Sequence, residues 1–119
     1  MAFLIRTIDF TAAGRELIRD RVVEQTVLTI GRAAENDIHL PDLAVEQNHV
    51  RIITLADGTL GVEALGTLGF GLDGRVVTTG SIDPRTGGEI ALGAARLAVA
   101  RESDGNTSIT IRQVTADEG

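Results

Sequence analysis

The stretch "TIGRAAENDIHLPDLAVEQNHVRI", Thr29–Ile52, carries the strongest structural pattern in the chain. An apolar run ends in Gly31 and Arg32, and a polar loop follows. Ile38–Leu40 then places two apolar residues on one side of a short strand, and a Pro-Asp pair turns the chain away. A further apolar run begins after His49. The pattern predicts two strands joined by polar loops with a short strand between them.

The sequence on either side of this stretch also predicts strands. Fourteen glycines separate short apolar runs, and most of the chain lacks a sustained helical period. Asp57-Gly58 joins two of the runs, and we expect both positions to have positive φ in a tight hairpin. The runs are VLTI before Gly31, VRIITLADGTLGVEAL, RVV after Asp73-Gly74, EIAL before Gly93, RLAVAR and SITIRQV. Many short strands with such turns indicate an all-β sandwich or barrel.

One segment leaves helix and strand open, namely Thr11–Gln25. Its apolar residues could share one helical face, but Gly14 weakens a helix and the pair Val22-Val23 favours a strand. We therefore predict a strand here, with the helix as the alternative. The residues that would form the helical face are Ala13, Leu17, Ile18 and Val22.

Length and composition limit the possible classes of protein. A chain of 119 residues fits one domain, which we place at 1–114, with 115–119 as a flexible acidic tail or the start of a linker. A net charge of −6 opposes nucleic acid as a partner, because phosphate backbones need a basic surface. The apolar start "MAFLI" is too short to insert into a membrane, and the chain has no cysteine. We expect a cytoplasmic protein, or the cytosolic part of a larger and membrane-anchored one.

The sequence offers little material for catalysis. Its two histidines, His39 and His49, have no cysteine or carboxylate at metal-ligand spacing, so a surface residue and a structural residue are the favoured interpretation. The glycines of Gly66–Gly71 lack the Lys and Ser/Thr of a phosphate-binding loop. We expect no catalytic residue, no metal and no cofactor, and therefore no enzyme.

The motifs resemble those of the forkhead-associated (FHA) domain. The family signature is Gly-Arg, then Asn/Asp-Ile-x-Leu-x-Asp, then a Val-Ser-Arg-x-His segment, and Thr29–Ile52 follows this order. "GTLGFGLDGRVV", Gly66–Val77, looks like the family's Asn-Gly-Thr-x-x-Asn-Gly loop, and "GGEIALGAARLAV", Gly87–Val99, like its Gly-Asp-x-Ile-x-Leu-Gly segment. The resemblance covers about Leu28 to Val99. It implies an FHA-type β-sandwich of two mostly antiparallel sheets.

The family is known for phosphothreonine recognition on loops at one end of the sandwich. The resemblance places the conserved Gly-Arg pair of the signature on Gly31 and Arg32, and the supporting His on His49. The phosphate-binding Ser falls on Glu46, and the basic residue that often follows falls on Gln47. The residues that form the sandwich match the family motifs, whereas most of the residues that would bind the phosphate are replaced.

The later loop departs from the family in the same way. The Asn that holds the ligand backbone falls on Leu68, and the adjacent Thr becomes Phe70 after Gly69. An ionised Glu46 can only accept hydrogen bonds and repels a doubly charged phosphate. We hypothesise that Glu46 fills the place of the phosphate and pairs with Arg32. The alternative is that Arg32 packs its stem and caps a turn while Glu46 points to solvent.

We expect a phosphate-independent interaction module that binds a protein or peptide, including another domain of its own chain. An exposed Phe70 beside Leu68 would anchor the contact, unless Phe70 turns inward as core. A second hypothesis is phosphothreonine binding with rearranged loops, in which Arg32, Asn48 and Arg75 donate. A catalytic domain is a third class, which no motif supports. The candidate binding loops contain Arg32, Glu46, Gln47, Asn48, Leu68, Gly69, Phe70 and Arg75, with Gly31 and His49 as structural support.

Overall fold

The computed structural model describes residues 2–10 and 13–113, and these ranges contain twelve β-strands and no helix. The expected tail, 115–119, lies outside the described residues. No helix of the described ranges is long and apolar enough to cross a membrane. The strands are β1 Phe3–Phe10, β2 Glu16–Val23, β3 Val27–Gly31, β4 Ile38–His39, β5 Val50–Thr54, β6 Leu60–Ala64, β7 Phe70–Leu72, β8 Arg75–Val77, β9 Thr79–Ile82, β10 Gly88–Leu92, β11 Ala95–Arg101 and β12 Thr107–Gln113.

The strands form two sheets. The larger sheet has the order β2-β1-β12-β11-β10-β7-β8, and the smaller has the order β4-β3-β5-β6-β9. Two pairs are parallel, β1 with β12 and β3 with β4, while the other pairs are antiparallel. The predicted all-β sandwich of two mostly antiparallel sheets is confirmed.

The core lies between the inner faces of the two sheets. Side chains alternate between the two faces of a strand, and every second one enters the core. In β3, Leu28 and Ile30 are fully buried while Val27 and Thr29 are not. Burying a side chain of this size stabilises the fold by about 1.5–3 kcal/mol. The largest fully buried side chains are Phe3, Ile5, Leu28, Ile30, Leu40, Ile52, Leu60, Ile90, Leu92, Leu97, Ile109 and Val45.

The segment with the open helix–strand choice is a strand, as predicted. β2 pairs antiparallel with β1 from Phe3 opposite Val23 to Phe10 opposite Glu16. Gly14 has a φ of 81° in the connection to β2, a value that a helix interior would not contain. Thr11 and Ala12, which began the predicted segment, lie outside the described residues.

The prediction of positive φ at both Asp57 and Gly58 is wrong. Only Gly58 has it, with a φ of 89°. The Gly58 N–H donates to the Leu55 carbonyl at 3.0 Å and the Leu55 N–H to the Thr59 carbonyl at 2.8 Å, so the hairpin has a longer loop than a two-residue turn. The tight turn with two positive φ values joins β7 to β8 at Asp73-Gly74, with φ values of 48° and 89°.

The strand registers place several loops at one end of the sandwich, which we call the loop end. Its segments are 32–37 after β3, 40–49 after β4, 65–69 after β6 and 93–94 after β10. Asp42 connects two of these segments, because its carboxylate accepts hydrogen bonds from the Ala44 N–H at 2.9 Å and the Ala94 N–H at 2.8 Å. The Ala94 N–H, followed by that of Ala44, lowers the pKa of Asp42. The candidate site lies at this end.

Candidate functional site

Backbone hydrogen bonds join the loop after β3 to the loop that precedes β5. The Arg32 N–H donates to the Glu46 carbonyl at 2.9 Å, and the Ala33 N–H donates to the Gln47 carbonyl at 3.1 Å. A Cβ on Gly31 would come within 2.8 Å of the Gln47 carbonyl carbon, so only glycine fits this crossing without a shift of the loop. Gly31 therefore allows the two loops to lie in contact.

Asn36 is a supporting residue that the sequence analysis did not single out. Its side chain is buried, and its Nδ2 donates to the Ala33 carbonyl at 2.9 Å and to the Gln47 carbonyl at 2.8 Å. The amide therefore ties both loops together from inside. The available signal was its position at the start of the Asn-Asp-Ile-His-Leu motif, ahead of β4.

His49 connects this pair of loops to the loop after β6. It is 2% exposed, its Nδ1 accepts a hydrogen bond from the Glu46 N–H at 3.0 Å, and its Nε2 lies 2.8 Å from the Gly69 carbonyl oxygen. An amide N–H can only donate and a carbonyl can only accept, which assigns the tautomer with the proton on Nε2. Both ring nitrogens are therefore used within the protein.

The Glu46 carboxylate is held by the loop after β6. It accepts hydrogen bonds from the Leu68 N–H at 3.0 Å and from the Thr67 N–H and hydroxyl, each at 3.3 Å. Gly66 completes this carboxylate cradle, which we define as Gly66, Thr67 and Leu68. A Cβ on Gly66 would lie 2.6 Å from the carboxylate carbon, so the absence of a side chain leaves the space that the carboxylate fills.

The cradle explains the charge state of Glu46. The Leu68 N–H, followed by the Thr67 donors, holds the pKa of the Glu46 carboxyl below its ordinary value of 4.5. Hydrogen bonds to the ionised form favour it over the neutral form. Glu46 therefore places a fixed negative charge at the loop end at neutral pH.

The hypothesis that Glu46 pairs with Arg32 is wrong. Within residues 2–10 and 13–113, the ion pairs do not include these two side chains. The Arg32 Nε instead donates to the Val45 carbonyl at 3.1 Å, so the guanidinium braces the loop. The physical reason is that Glu46 finds three neutral donors in the cradle and turns toward them.

The expected exposed anchor at Phe70 is also wrong, because Phe70 is 2% exposed and belongs to the hydrophobic core. It begins β7, where alternation turns it inward and leaves Gly71 facing outward. Leu68 is half exposed, and Gly69 contributes its carbonyl to His49. Leu68 alone of the expected pair therefore offers apolar surface at the loop end.

Of the three remaining candidate residues, the structure places Gln47 and Asn48 at the loop end but not Arg75. Gln47 and Asn48 are exposed at the loop end, beside Glu46. Arg75 is exposed at the start of β8, where it lies opposite Leu72 at the far end of the β7–β8 hairpin. Asn48 therefore lies in the loop that Arg32 contacts, whereas Arg75 lies on a different hairpin.

No group of three or more His, Cys, Asp or Glu side chains in the described part of the chain is arranged to hold a metal ion. His39 lies exposed on β4, at the edge of the smaller sheet. The loop end therefore offers chemistry of hydrogen bonding and apolar contact, built around the bound Glu46 carboxylate.

A comparison with protein families identifies the fold. The family model described as "FHA domain" matches residues 28–93, which is more than half of the 119-residue chain. The chain belongs to the FHA family. The matched segment of this FHA domain contains Arg32, Glu46, His49 and the carboxylate cradle. No curated protein sequence matches the chain.

Three solved structures that are similar to this chain are described as FHA domains. The FHA domain of the CT664 protein from Chlamydia trachomatis has a TM-score of 0.64 at 19% identity, covering 82% of this chain and 96% of that one. The N-terminal FHA domain of Rad53p from S. cerevisiae, in complex with a phosphothreonine peptide, has a TM-score of 0.55 at 22% identity, covering 94% and 92%. The FHA-2 domain of a Mycobacterium tuberculosis ABC transporter has 0.56 at 20%, covering 73% and 76%.

Proposed function

We propose that this FHA domain is a non-catalytic protein interaction module whose loop end does not take phosphothreonine through the usual pocket. The observation that carries the proposal is the Glu46 carboxylate, which occupies the Thr67 and Leu68 donors. Family membership supports protein or peptide binding as the general activity. Glu46, Gln47 and Leu68, which stand where the family has phosphopeptide-binding residues, support a ligand other than phosphothreonine.

Two physical effects oppose a phosphate at this site. A phosphate needs donors aimed at its oxygens, and the Thr67 and Leu68 donors already serve the Glu46 carboxylate. The ionised Glu46 also repels a group with a charge near −2, and the net charge of −6 adds a background of the same sign. A phosphopeptide must therefore expel the carboxylate and then remain beside it.

The exposed apolar residues of the loop end favour an uncharged contact. Leu43 is 91% exposed, Leu68 is 50% exposed and Leu65 is 42% exposed, all in loops at this end. Burying such side chains against a partner is favourable in proportion to the apolar area removed from water. We propose an unphosphorylated protein segment as the ligand, including one from another domain of the same chain. We also propose a cytosolic location, which suits a chain without cysteine.

A peptide titration tests this function. A degenerate phosphothreonine peptide pool and its unphosphorylated twin are titrated against the wild-type domain, Glu46→Ser and the matched control Glu102→Ser, which removes a carboxylate from an exposed residue outside the loop end. We expect no selective binding of the phosphorylated pool by wild type or the control, and a gain by Glu46→Ser. Selective micromolar binding by the wild-type chain would refute the proposal.

A second candidate is phosphothreonine binding in which the ligand displaces Glu46. It is favoured by Arg32, whose terminal guanidinium nitrogens make no hydrogen bond within the described part of the chain and therefore stay available. In that case wild type selects the phosphorylated pool, and Arg32→Gln abolishes the selection. The same titration therefore separates the two candidates.

A further inference from the structure

β2 forms an open edge of the larger sheet. It is the outermost strand, it is eight residues long, and its side chains are exposed except for a half-buried Val23. An edge strand of this length has a row of backbone N–H and C=O groups without sheet partners. Such an edge can receive an additional strand from another protein.

A groove of about 710 Å³ lies beneath this edge, between the inner side of the larger sheet and β4 of the smaller sheet. Arg19 and Arg21 of β2 line one wall, and His39 and Pro41 line the other. Ile5, Thr7, Ile38, Leu40 and Ile111 form its floor. Every second side chain of a strand added to β2 would enter this groove, because side chains alternate between the two faces of a sheet.

Two arginines of β2, Arg19 and Arg21, line the groove of this acidic protein. Arg19 has no hydrogen bond or ion pair among the described residues, and Arg21 donates one bond to the Asp37 carbonyl. Asp9 and Asp20 also line the groove, but Asp9 lies opposite Leu17, and Asp20 is already paired with Arg6 at 2.9 Å. Carboxylates on an incoming strand would therefore meet Arg19 and Arg21, away from Asp9.

The outer face of β2 carries apolar residues where the groove side carries arginines, so it favours different side chains on an added strand. Ile18 is 52% exposed and Val22 is 62% exposed, and both lie on the outer face, where they neighbour Ile8 and Leu4 of β1. Cross-strand pairs of β-branched residues stabilise a sheet. The outer side of an added strand should therefore carry Val or Ile opposite Ile18 and Val22.

The charges on β2 argue against a second copy of the chain as the added strand. Two β2 strands related by a two-fold axis at Arg19 would place Arg19 opposite Arg19. An axis at Asp20 would place Asp20 opposite Asp20 and Arg19 opposite Arg21. Like charges directly opposite each other destabilise a strand pair. The same arginines therefore discourage self-pairing and select a partner with acidic residues.

We propose that β2 binds an extended acidic segment of another protein as an eighth strand of the larger sheet. The segment alternates acidic residues, which enter the groove toward Arg19 and Arg21, with β-branched residues, which cover Ile18 and Val22. Leu40 and Pro41 of the loop end line the groove, but Glu46 is not among its lining residues, so Glu46 substitutions should leave the binding unchanged.

The probe is a labelled, end-capped peptide, Thr-Val-Glu-Val-Glu-Val-Thr, measured by fluorescence anisotropy, with the Lys-for-Glu peptide as its control. We expect saturable binding of the acidic peptide only. Arg19→Glu should weaken the binding about tenfold, because it removes one attraction and adds one repulsion. Arg19→Gln should weaken it less, and Arg101→Glu, a matched charge reversal at an exposed residue at the end of β11, should leave it unchanged.

Two N-methylated peptides test strand addition itself, one methylated at the Val amides and one at the Glu amides. Only one of these sets of N–H groups points toward β2 in an antiparallel pair, so one peptide should bind and the other should not. Equal binding of both would refute strand addition, and so would an absence of saturable binding up to millimolar peptide. Equal weakening by Arg19→Glu and Arg101→Glu would also refute the assigned site, as would a dimer in sedimentation that the peptide cannot dissociate.

Discussion

Replacing His49 by Ala tests how the loop end is held together. The imidazole is buried and joins two loops, with the Glu46 N–H donating to Nδ1 and Nε2 donating to the Gly69 carbonyl. Ala removes both partners at once and leaves the part-buried Glu46 N–H and Gly69 C=O without them. The matched control is His39→Ala, since His39 is the other histidine of the chain and is exposed on β4.

The expected loss follows from these two groups. An unsatisfied buried donor or acceptor costs about 1–3 kcal/mol, and these two groups are part-buried, so His49→Ala should lower the free energy of unfolding by about 2–4 kcal/mol. Natural domains are stable by about 5–15 kcal/mol, so the substitution removes a large share of the total. A surface substitution such as His39→Ala should change it by no more than about 0.5 kcal/mol.

Urea denaturation followed by far-ultraviolet circular dichroism measures the difference. The chain has no Trp and no Tyr, so intrinsic fluorescence would report little. His49→Gln serves as a partial rescue, because its amide has one acceptor and donors that can replace those of the ring. A loss of less than about 1 kcal/mol for His49→Ala, equal to that of His39→Ala, would refute the two-loop bridge.

Other substitutions test the cradle and the apolar residues beside it. The lowered pKa of Glu46 means that its carboxylate stabilises the fold above its ordinary value of 4.5, and that this contribution is lost as the pH falls through the lower folded-state value. The urea midpoint of Glu46→Gln should therefore lie below that of wild type at pH 7 and approach it as the pH falls through the folded-state pKa, and a constant gap would contradict the cradle. Gly66→Ala should destabilise wild type more than it destabilises Glu46→Ala, as a thermal double-mutant cycle would show, whereas additive losses would place the two residues apart. Phe70→Ala should cost about 3–5 kcal/mol and Leu68→Ala no more than about 0.5, and the reverse order in urea denaturation would overturn the assignment of core and surface.

The sequence predicted the sandwich well because its strands depend on local patterns. Alternation in β3 and β11, together with glycine at the turns, predicts strands without knowledge of the partner strand. Even in the segment where helix and strand competed, Glu16–Val23 formed a strand, as its β-branched residues predicted. The Asp57-Gly58 turn failed because its conformation depends on loop length and strand register, which a dipeptide does not specify.

The candidate site was predicted less well because its contacts join residues far apart in the chain. The identity of Glu46 indicated a resident anion, but not which donors would bind it. A charged Arg32 was the obvious partner, whereas the structure uses backbone N–H groups and the space beside Gly66. Backbone donors carry no sequence signal, and Phe70 was ambiguous because an aromatic residue fits core and surface equally well.

Under the proposed function, the loop end keeps the FHA scaffold while the Glu46 carboxylate takes up donors that a phosphate would need. Gly31, Asn36 and His49 hold the loops through backbone contacts, so they are needed whether or not a ligand binds. The cradle donors would be unpaired without an anion, and Glu46 supplies one from within the chain. Leaving a donor without its protein partner costs less free energy where water can reach the donor. Leu68 is half exposed, so the Glu46 carboxylate can leave the cradle. We therefore propose that the position of the carboxylate decides which ligands the loop end admits, while the sandwich below it stays the same.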